Sequence, residues 1–285
     1  MIIWIASFPK SGNTWMRAFL CAYLYLDLDK ETFSFDLLKK IKRFPNQDQL
    51  NDIGIKPKSF EDVAKVWIRI QNHINSNKKI NFLKTHQAFG NFENISFSDH
   101  NNTLGAIHLV RDPRDVLISY SKHMDQTLNE TLDLVLEEES KGYINEKDND
   151  IIGEIRGSWS QHYNSWKNFN IGEKITIKYE DLAEDPYNTF SKVIIFLSKL
   201  FQKHSFFLEV DEERIKKCIE ISHFKNLQKL EKSVGFDEKN KTNVLFFNEG
   251  QTKQWKDKLD KKTIYRIEKK FKNEMKELNY IQINY

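Results

Sequence analysis

The fold is decided by the stretch "IIWIASFPKSGNTW", which occupies residues 2–15. Its apolar first half is short, rich in Ile and Trp and closed by Pro9, a pattern typical of a buried strand. Apolar residues resume at 14–24 without a helix breaker and predict a buried helix. The loop between strand and helix contains Lys10 and Gly12, so it offers a positive charge beside the backbone N–H groups of a helix N-terminus. The stretch therefore predicts an anion-binding loop.

Composition sets limits on the class of protein. The chain has 285 residues, of which 39% are hydrophobic, enough for a sizeable core. Its 44 basic and 41 acidic side chains leave a net charge of +3, so no strong overall field would draw it to nucleic acid or to an anionic membrane. We expect no nucleic-acid partner and a local anion site. Cys21 and Cys218 match no metal or redox spacing, so we expect buried thiols and no disulfide.

The amino-terminal segment also bears on location. Residues 1–6 lack a positively charged leader and are too short for a secretory core or a membrane span. No other segment reaches eighteen uninterrupted apolar residues. We therefore expect a cytoplasmic protein without a membrane span.

Strand and helix patterns alternate along the chain. Further strands are predicted at 80–84, 104–110 and 174–179. Helices are predicted at 113–124, 127–141, 151–169, 186–201, 211–221 and 259–277. Such alternation predicts an α/β fold with a mostly parallel central sheet flanked by helices, in a single domain over 1–285. The least patterned segment, 231–254, is expected to be a mobile loop.

Polar residues follow the predicted strands at the edge where parallel sheets bind ligands. Lys84-Thr85-His86 ends the second strand, and Arg111 ends the third. Asp112 can cap a helix whose first turn contains Pro113, and Ser119, two turns further on, returns to the same face as that cap. The fourth strand ends in Tyr179.

The loop differs from that of ATP-binding P-loop proteins. The pattern GxxxxGK[ST] places lysine after the second glycine, whereas Lys10 precedes the single Gly12. The third strand delivers Arg111 where a kinase would need a carboxylate for magnesium. We therefore expect an anion site that uses basic side chains and no metal.

These motifs together resemble those of the sulfotransferases that use 3'-phosphoadenosine 5'-phosphosulfate (PAPS). Residues 7–15 are similar to the family's Y/F-P-K-S-G-T-T-W loop, with Asn13 at a threonine position. Residues 84–86 match its K-T-H, 110–120 resemble its 3'-phosphate segment, and 179–181 match its Y-E-D. The resemblance implies a P-loop NTPase-like sulfotransferase fold. It also implies transfer of a sulfuryl group from PAPS to a hydroxyl or amine, which leaves adenosine 3',5'-bisphosphate (PAP).

The resemblance also assigns roles to residues. Lys10 would assist departure of the 5'-phosphate, Lys84 would add charge at the sulfuryl oxygens, and His86 would take the acceptor's proton. With Ser119 these form the expected catalytic group. The expected nucleotide contacts are Lys10, Ser11, Gly12, Asn13 and Thr14 at the 5'-phosphate, Arg111 and Ser119 at the 3'-phosphate, and Trp15, Tyr179, Ser222 and Phe224 at adenine.

A second nucleotide segment lies near the carboxyl end. Residues 246–256 look like the family's F-x-R-K-G-x-x-G-x-W-K and add Phe247, Asn248, Glu249 and Gly250 to the expected contacts. Here Asn248 replaces an arginine, Glu249 a lysine and Lys253 a glycine. A carboxylate beside a phosphate repels it unless it points away. We therefore expect a weaker 3'-phosphate clamp that depends mainly on Arg111 and Ser119, with Lys239 or Lys241 as substitutes.

The acceptor side is expected in residues 27–78 and 120–165, from where the family builds it. These segments contain the aromatics Phe33, Phe35, Phe44 and Trp67 and the acids Glu137, Glu138 and Glu139. A small-molecule or carbohydrate acceptor fits this composition. Trp159, His162 and Trp166 have helical spacing and are expected in the core.

Two alternatives and the oligomeric state stay open. One alternative is a kinase that uses ATP and magnesium, and the other is a non-catalytic nucleotide-binding module. The family's dimer signature K-x-x-x-T-V-x-x-x-x-E is matched only by Thr263-Ile264 and Glu268, with Leu259 at the lysine position. A homodimer is therefore a weakly supported expectation.

Overall fold

The computed structural model describes residues 1–138, 153–238 and 245–282. Their strands are β1 Ile2–Ser7, β2 Lys42–Arg43, β3 Asn81–Thr85, β4 Asn91–Phe92, β5 Ile95–Ser96, β6 Thr103–Val110 and β7 Glu173–Lys178. Their first helices are α1 Asn13–Tyr25, α2 Gln47–Asp52, α3 Phe60–Ala64, α4 Trp67–Asn75, α5 Pro113–Met124, α6 Leu128–Leu136 and α7 Trp159–Lys167. The later ones are α8 Tyr179–Glu184, α9 Pro186–Lys203, α10 Glu212–Ser222, α11 Phe224–Val234, α12 Trp255–Lys258, α13 Lys261–Lys270 and α14 Lys272–Glu277. A 3-10 helix covers Phe35–Lys40.

The predicted α/β fold with a parallel central sheet is confirmed. The sheet has the order β2-β3-β1-β6-β7, so the opening stretch forms its middle strand. β1 and β3 pair in parallel with Ala6 opposite Thr85, and β2 pairs in parallel with β3 through Arg43 opposite Lys84. This register brings the ends of β1 and β3 side by side, which places Ser7 next to His86.

Local capping explains where the helices begin and end. Helix α5 has the predicted bounds, because Asp112 accepts a hydrogen bond from the backbone of Arg114 and a proline occupies the first turn. The helix predicted over 151–169 begins only at Trp159, because Ser158 forms a capping box there. The one predicted over 259–277 is divided at Phe271 into α13 and α14.

Some predictions fall partly outside the described residues. The end of the helix predicted over 127–141 lies outside them, as do Glu139, Lys239 and Lys241. In the segment predicted as a loop over 231–254, the described residues 235–238 and 245–254 lie outside helices and strands, whereas the first four residues are helical. Helix α11 continues to Val234, and Phe247 is buried.

The described residues fall into two compact units. The first unit comprises 1–8, 41–108 and 137–176, apart from the residues not described. Its core surrounds Trp4, whose ring lies 5.2 Å from Phe44 and 5.0 Å from Phe97. Trp67 packs on Phe97 at 5.4 Å, so Phe44 and Trp67 serve the core rather than an open acceptor surface. Trp159, His162 and Trp166 are also buried in this unit, as predicted.

The second unit comprises 9–40, 109–136 and 177–285, again apart from the residues not described. Helix α1 packs against α10, and Phe19 of α1 stacks on Phe190 with ring centroids 4.0 Å apart. Arg214 of α10 donates hydrogen bonds to the carbonyls of Tyr23 and Leu26, at 2.8 and 2.7 Å. A basic side chain thus satisfies the carboxyl end of α1.

Three smaller expectations can be compared with the structure. Cys21 and Cys218 are buried free thiols, as predicted. Within residues 1–138, 153–238 and 245–282, none of the helices combines the length and the apolar character that crossing a bilayer needs. In the dimer signature, Thr263 is buried and Glu268 pairs with Arg114 at 2.6 Å, so both side chains already serve the second unit.

Candidate active site

The loop after β1 has the backbone of an anion cradle. Lys10 and Gly12 both adopt the left-handed conformation, with φ of +65° and +95°. Gly12 is the amino-terminal cap of α1, and its turn has no side-chain cap. A helix start leaves backbone N–H groups without intrahelical acceptors, and alternating backbone conformations turn such groups toward an anion. Ser11 between them is fully buried, and its hydroxyl oxygen has no hydrogen-bond partner among the described residues.

The ring of Tyr179 covers this loop. A Cβ placed on Gly12 would lie 2.8 Å from Cδ2 of Tyr179, so only glycine fits. The Arg111 guanidinium carbon lies 4.1 Å from the centre of the same ring. Trp15 meets Tyr179 edge-on at 5.9 Å. Four residues assigned from three separate motifs are therefore brought together in the second unit.

Arg111 is held by backbone carbonyls. It donates to Lys10 through Nη1 at 3.0 Å and to Gln251 through Nη2 at 2.9 Å. The neighbouring carboxylate of Asp112 pairs instead with Arg114 at 2.6 Å. Arg111 thereby joins the loop after β1 to the segment that follows residue 245.

That segment is also fixed by Asp115 of α5. This buried carboxylate accepts the backbone N–H groups of Lys253 at 2.6 Å and Trp255 at 3.0 Å. Lys253 has a φ of +62°, so a lysine takes the left-handed conformation at the position where the family pattern has glycine. Lys253 therefore keeps the left-handed backbone conformation typical of glycine, although the side chain differs from the family pattern.

Glu249, the unexpected acid of this segment, is neutralised by two lysines. It pairs with Lys122 of α5 and with Lys258, the latter at 2.5 Å. Burial opposes ionisation, but the hydrogen bonds from both lysines outweigh it and lower the pKa of Glu249. Lys239 and Lys241, the predicted substitutes in the phosphate clamp, lie outside the described residues. Ser119, the other predicted phosphate ligand, lies one turn before Lys122 and is partly exposed.

The remaining predicted contacts differ in what they touch within the protein. Phe224 packs closely on Gly250, because a Cβ added to Gly250 would lie 2.6 Å from Cγ of Phe224. The ring centroids of Phe224 and Phe247 are 6.0 Å apart. Asn248 accepts a hydrogen bond from Gln228 through its backbone carbonyl, at 2.6 Å. The hydroxyl of Ser222 is fully buried and donates to the carbonyl of residue 218 within α10, at 2.7 Å. Ser222 therefore supports its own helix.

Lys10 lies over an aromatic ring of the same unit. Its Nζ is 3.8 Å from the centre of Phe246, a cation–π contact. Phe246 and Phe247 pack on Phe35 and Phe236, with Phe35 and Phe236 centroids 4.5 Å apart. This aromatic cluster was not predicted from the sequence, because Phe35 lies roughly 200 residues before its other members.

The first unit contains the predicted base. Nδ1 of His86 lies 2.7 Å from the backbone carbonyl oxygen of Ser7 and 3.2 Å from its hydroxyl. A carbonyl oxygen can only accept, so this geometry assigns the proton of neutral His86 to Nδ1. The lone pair is then on Nε2, which is the atom able to take a proton.

Charged groups around His86 set its basicity. Burial lowers the pKa of His86 from 6.5 to about 4, and Glu154 raises it while Arg43 and Lys84 lower it further. Glu154 accepts the backbone N–H of His86 at 3.2 Å and also pairs with Arg43 through both oxygens. Sequence reasoning missed Glu154 and Arg43, because they lie more than forty residues from His86 and belong to no local motif.

Two further histidines lie behind the base. The ring of His162 hydrogen-bonds to the backbone of His86, and burial holds the pKa of His162 well below 6.5. His108 lies 6.1 Å from His162 between ring centroids, and burial lowers its pKa to about 3. Neither ring nitrogen of His108 has a hydrogen-bond partner within the described parts of the chain. All three rings are therefore neutral at pH 7.

The middle strand of a parallel sheet leads into a glycine-containing turn at a helix start, and polar residues follow the neighbouring strands, so the chain is an α/β protein with its candidate site at the carboxyl ends of the strands. Residues 2–279 match the sulfotransferase domain, and the chain belongs to that family. An amine sulfotransferase of Oryctolagus cuniculus is 21% identical over 96% of this chain and 81% of its own length. A flavonol 3-sulfotransferase of Flaveria bidentis is 22% identical over 94% and 79%.

Solved structures share the fold. Mouse sulfotransferase SULT7A1, complexed with PAP, has a TM-score of 0.57 at 19% identity, covering 96% of this chain and 84% of that one. Retinol dehydratase, in a complex with retinol and PAP, has a TM-score of 0.61 at 15% identity, covering 100% and 83%. The predicted family and fold are therefore confirmed.

Proposed function

We propose that this chain transfers a sulfuryl group from PAPS to a hydroxyl or amine group of a small-molecule or carbohydrate acceptor. The observation that carries the proposal is the cradle at residues 10–15, in which the lysine precedes the glycine and a guanidinium rather than a carboxylate lies beside it. The buried, unpartnered hydroxyl of Ser11 and the uncapped start of α1 fit an anionic ligand at this loop.

The nucleotide end would be held by the second unit. The N–H groups at Ser11, Gly12, Asn13 and Thr14 would bind the 5'-phosphate, and Trp15 and Tyr179 would lie against adenine. Arg111 and Ser119 would bind the 3'-phosphate, with Phe224 and residues 247–250 closing the site. Tyr179 already contacts Gly12 and Arg111, which supports a compact binding site for one nucleotide.

The chemical roles follow from the charges and protonation states. PAPS supplies the activated sulfuryl group and leaves as PAP when its sulfur–oxygen bond to the 5'-phosphate breaks. Nε2 of His86 would take the proton of the acceptor as the acceptor atom bonds to sulfur, and Lys10 would stabilise the electron pair left on the phosphate oxygen. Lys84 would add charge at the sulfuryl oxygens. The neutral state of His86 at pH 7 leaves Nε2 free to accept that proton.

Ligand binding distinguishes a sulfotransferase that uses PAPS from a kinase that uses ATP and magnesium. PAP at about one hundred times its Kd should add roughly 2.7 kcal/mol of stability in a thermal-shift measurement, with or without magnesium or EDTA. A kinase would instead be stabilised by ATP with magnesium. Stabilisation by ATP–magnesium without any effect of PAP would show the proposal to be wrong.

Measurement of turnover distinguishes a sulfotransferase from a non-catalytic nucleotide-binding module. Amine, flavonol and hydroxysteroid acceptors, the classes named for relatives, form the first screen with PAPS. We expect His86→Ala to lower kcat by roughly 10²–10⁴-fold while PAP still binds, since general-base catalysis contributes about that factor. The exposed His100 provides the matched control, His100→Ala. Equal turnover in both variants would remove His86 from the mechanism.

A further inference from the structure

We propose that Glu154, held by Arg43, is the positioning residue of His86: it fixes the backbone of the base and stabilises the imidazolium that forms when the base takes a proton. This rests on the proposed role of His86 as general base. Nothing in the chain's motifs points to Glu154.

The first observation is the geometry of the carboxylate. Glu154 is 3% exposed, and its Oε1 accepts both the backbone N–H of His86 and Nε of Arg43, each at 3.2 Å. Its Oε2 accepts a short hydrogen bond from Nη2 of Arg43. Arg43 is itself fixed by β2, where it pairs in register with Lys84 of β3, two residues before His86. Strand register, guanidinium, carboxylate and base therefore form one continuous chain of contacts.

The second observation is that the other polar atoms of His86 are also held. Nδ1 lies 2.7 Å from the carbonyl of Ser7, and His162 hydrogen-bonds to the backbone of His86. Nε2 of His162 has no hydrogen-bond partner in the described part of the chain, so Nδ1 of that ring makes this bond. The backbone N–H is taken by Glu154, which leaves the His86 carbonyl as the acceptor. Nε2 is left as the ring atom for the reaction.

The third observation concerns charge. Glu154, Arg43 and Lys84 are the charged groups that act on His86, and His162 behind it is neutral. Two of the three charges are positive and oppose formation of an imidazolium. Burial raises the pKa of Glu154, but the positive charges of Arg43 and Arg156 and the hydrogen bonds from Arg43 outweigh burial and lower it, so the carboxylate is ionised. The carboxylate therefore offsets the positive charges at the moment when His86 becomes positive as well.

A purely structural ion pair would predict a different arrangement. Arg43 and Glu154 could join β2 to residues 153–155 without contacting the base. Here one carboxylate oxygen is shared between the guanidinium and the backbone of His86. This sharing is what couples the pair to the base.

The test compares Glu154→Gln with a buried control in the same unit. Gln71→Met removes a buried amide that donates to the backbone carbonyl of Phe97 at 2.6 Å and accepts from the hydroxyl of Ser98. We expect Glu154→Gln to lower kcat by about ten- to a hundredfold, to leave the Kd for PAP within twofold, and to shift the acid limb of kcat/KM to lower pH. Gln71→Met should lower thermal stability without moving that limb. A Glu154→Gln variant with normal kcat, or with lower kcat and an unmoved limb, overturns the proposal.

A second readout does not depend on turnover. Nitrogen-15 NMR of labelled histidine in the ligand-free protein reports the tautomer and titration of His86. We expect the Nδ1–H form in the wild type and a lower titration midpoint in Glu154→Gln. If the wild type binds PAP but transfers no sulfuryl group, the proposed function is wrong. The NMR titration still shows in that case whether Glu154 affects the pKa of His86. An unchanged midpoint overturns the coupling even in an active enzyme.

A double variant covers the case in which Glu154→Gln does not fold. Arg43→Gln with Glu154→Gln removes both charges together, which destabilises less than leaving one buried charge alone. Glu154 affects His86 more than Arg43 does, so the titration midpoint of the double variant should still lie below that of the wild type. Glu154→Asp keeps the negative charge, so the acid limb of its kcat/KM profile should lie closer to that of the wild type than the limb of Glu154→Gln does. A double variant with wild-type midpoint and kcat overturns the proposal.

Discussion

Replacing Gly12 with alanine tests whether the cradle depends on close contact with Tyr179. Gly12 has a φ of +95°, and the added Cβ would lie 2.8 Å from Cδ2 of Tyr179. The ring has little room to withdraw, because the Arg111 guanidinium lies 4.1 Å from its centre and Trp15 meets its edge. The variant therefore combines backbone strain with a steric clash.

A matched control separates those two costs. Gly54 also has a positive φ, of +71°, but among the described residues, apart from Gly54 and its chain neighbours, no atom lies within 4 Å of its added Cβ. A left-handed L-residue costs about 1–2 kcal/mol in either variant. Overpacking against a fixed ring adds roughly 1–3 kcal/mol at Gly12 alone. We therefore expect Gly12→Ala to lose about 2 kcal/mol more of unfolding free energy than Gly54→Ala.

Urea unfolding measures the difference, provided that the denaturant slope is unchanged so that midpoints report stability. Isothermal calorimetry with PAP gives the functional counterpart, where Gly12→Ala should bind more weakly and Gly54→Ala as the wild type does. Adding Tyr179→Leu to Gly12→Ala should recover part of the loss, since contacting residues show coupling of about 0.5–3 kcal/mol. Equal destabilisation in the two glycine variants would falsify the close-contact interpretation.

Two further predictions concern backbone strain and buried histidines. Lys253→Gly should raise the unfolding free energy by about 0.5–1 kcal/mol, since glycine adopts its φ of +62° without strain, and a lower melting temperature would contradict this. Burial lowers the pKa of His108 to about 3, whereas the pKa of an unfolded histidine is about 6.5. Between these two pH values only the unfolded state binds a proton at His108. The free energy of unfolding therefore falls by about 1.4 kcal/mol for each pH unit below about 6.5. His108→Phe should therefore reduce the acid sensitivity in chemical unfolding at pH 5 relative to pH 7.5, and an unchanged pH dependence would count against a neutral buried His108.

Local patterns could predict the parts of the site that one segment builds alone. The strand, cradle and helix of residues 2–25 follow from apolar runs separated by a lysine, a glycine and a proline. Asp112 and Pro113 place the start of α5 because capping and a fixed proline φ act within one turn. These features are encoded by residues that are neighbours in sequence.

The network behind His86 could not be predicted in this way. Glu154 follows His86 by 68 residues, and Arg43 reaches it only because β2 pairs with β3. Similarly, the sequence identifies Glu249 as unusual but does not reveal that Lys122 and Lys258 neutralise it. Contacts set by strand register and by long-range packing carry no periodic signal, so three-dimensional structure is needed to find them.

The segment after residue 250 is attached to its surroundings mainly through main-chain atoms. Arg111 binds the carbonyl of Gln251, and Asp115 binds the N–H groups of Lys253 and Trp255. Attachment of this kind places little demand on side-chain identity, so the segment can exchange residues during evolution while its path is preserved. The same property makes positions 251–254 a practical place for engineering, because side chains can be varied there while the path of the loop is kept.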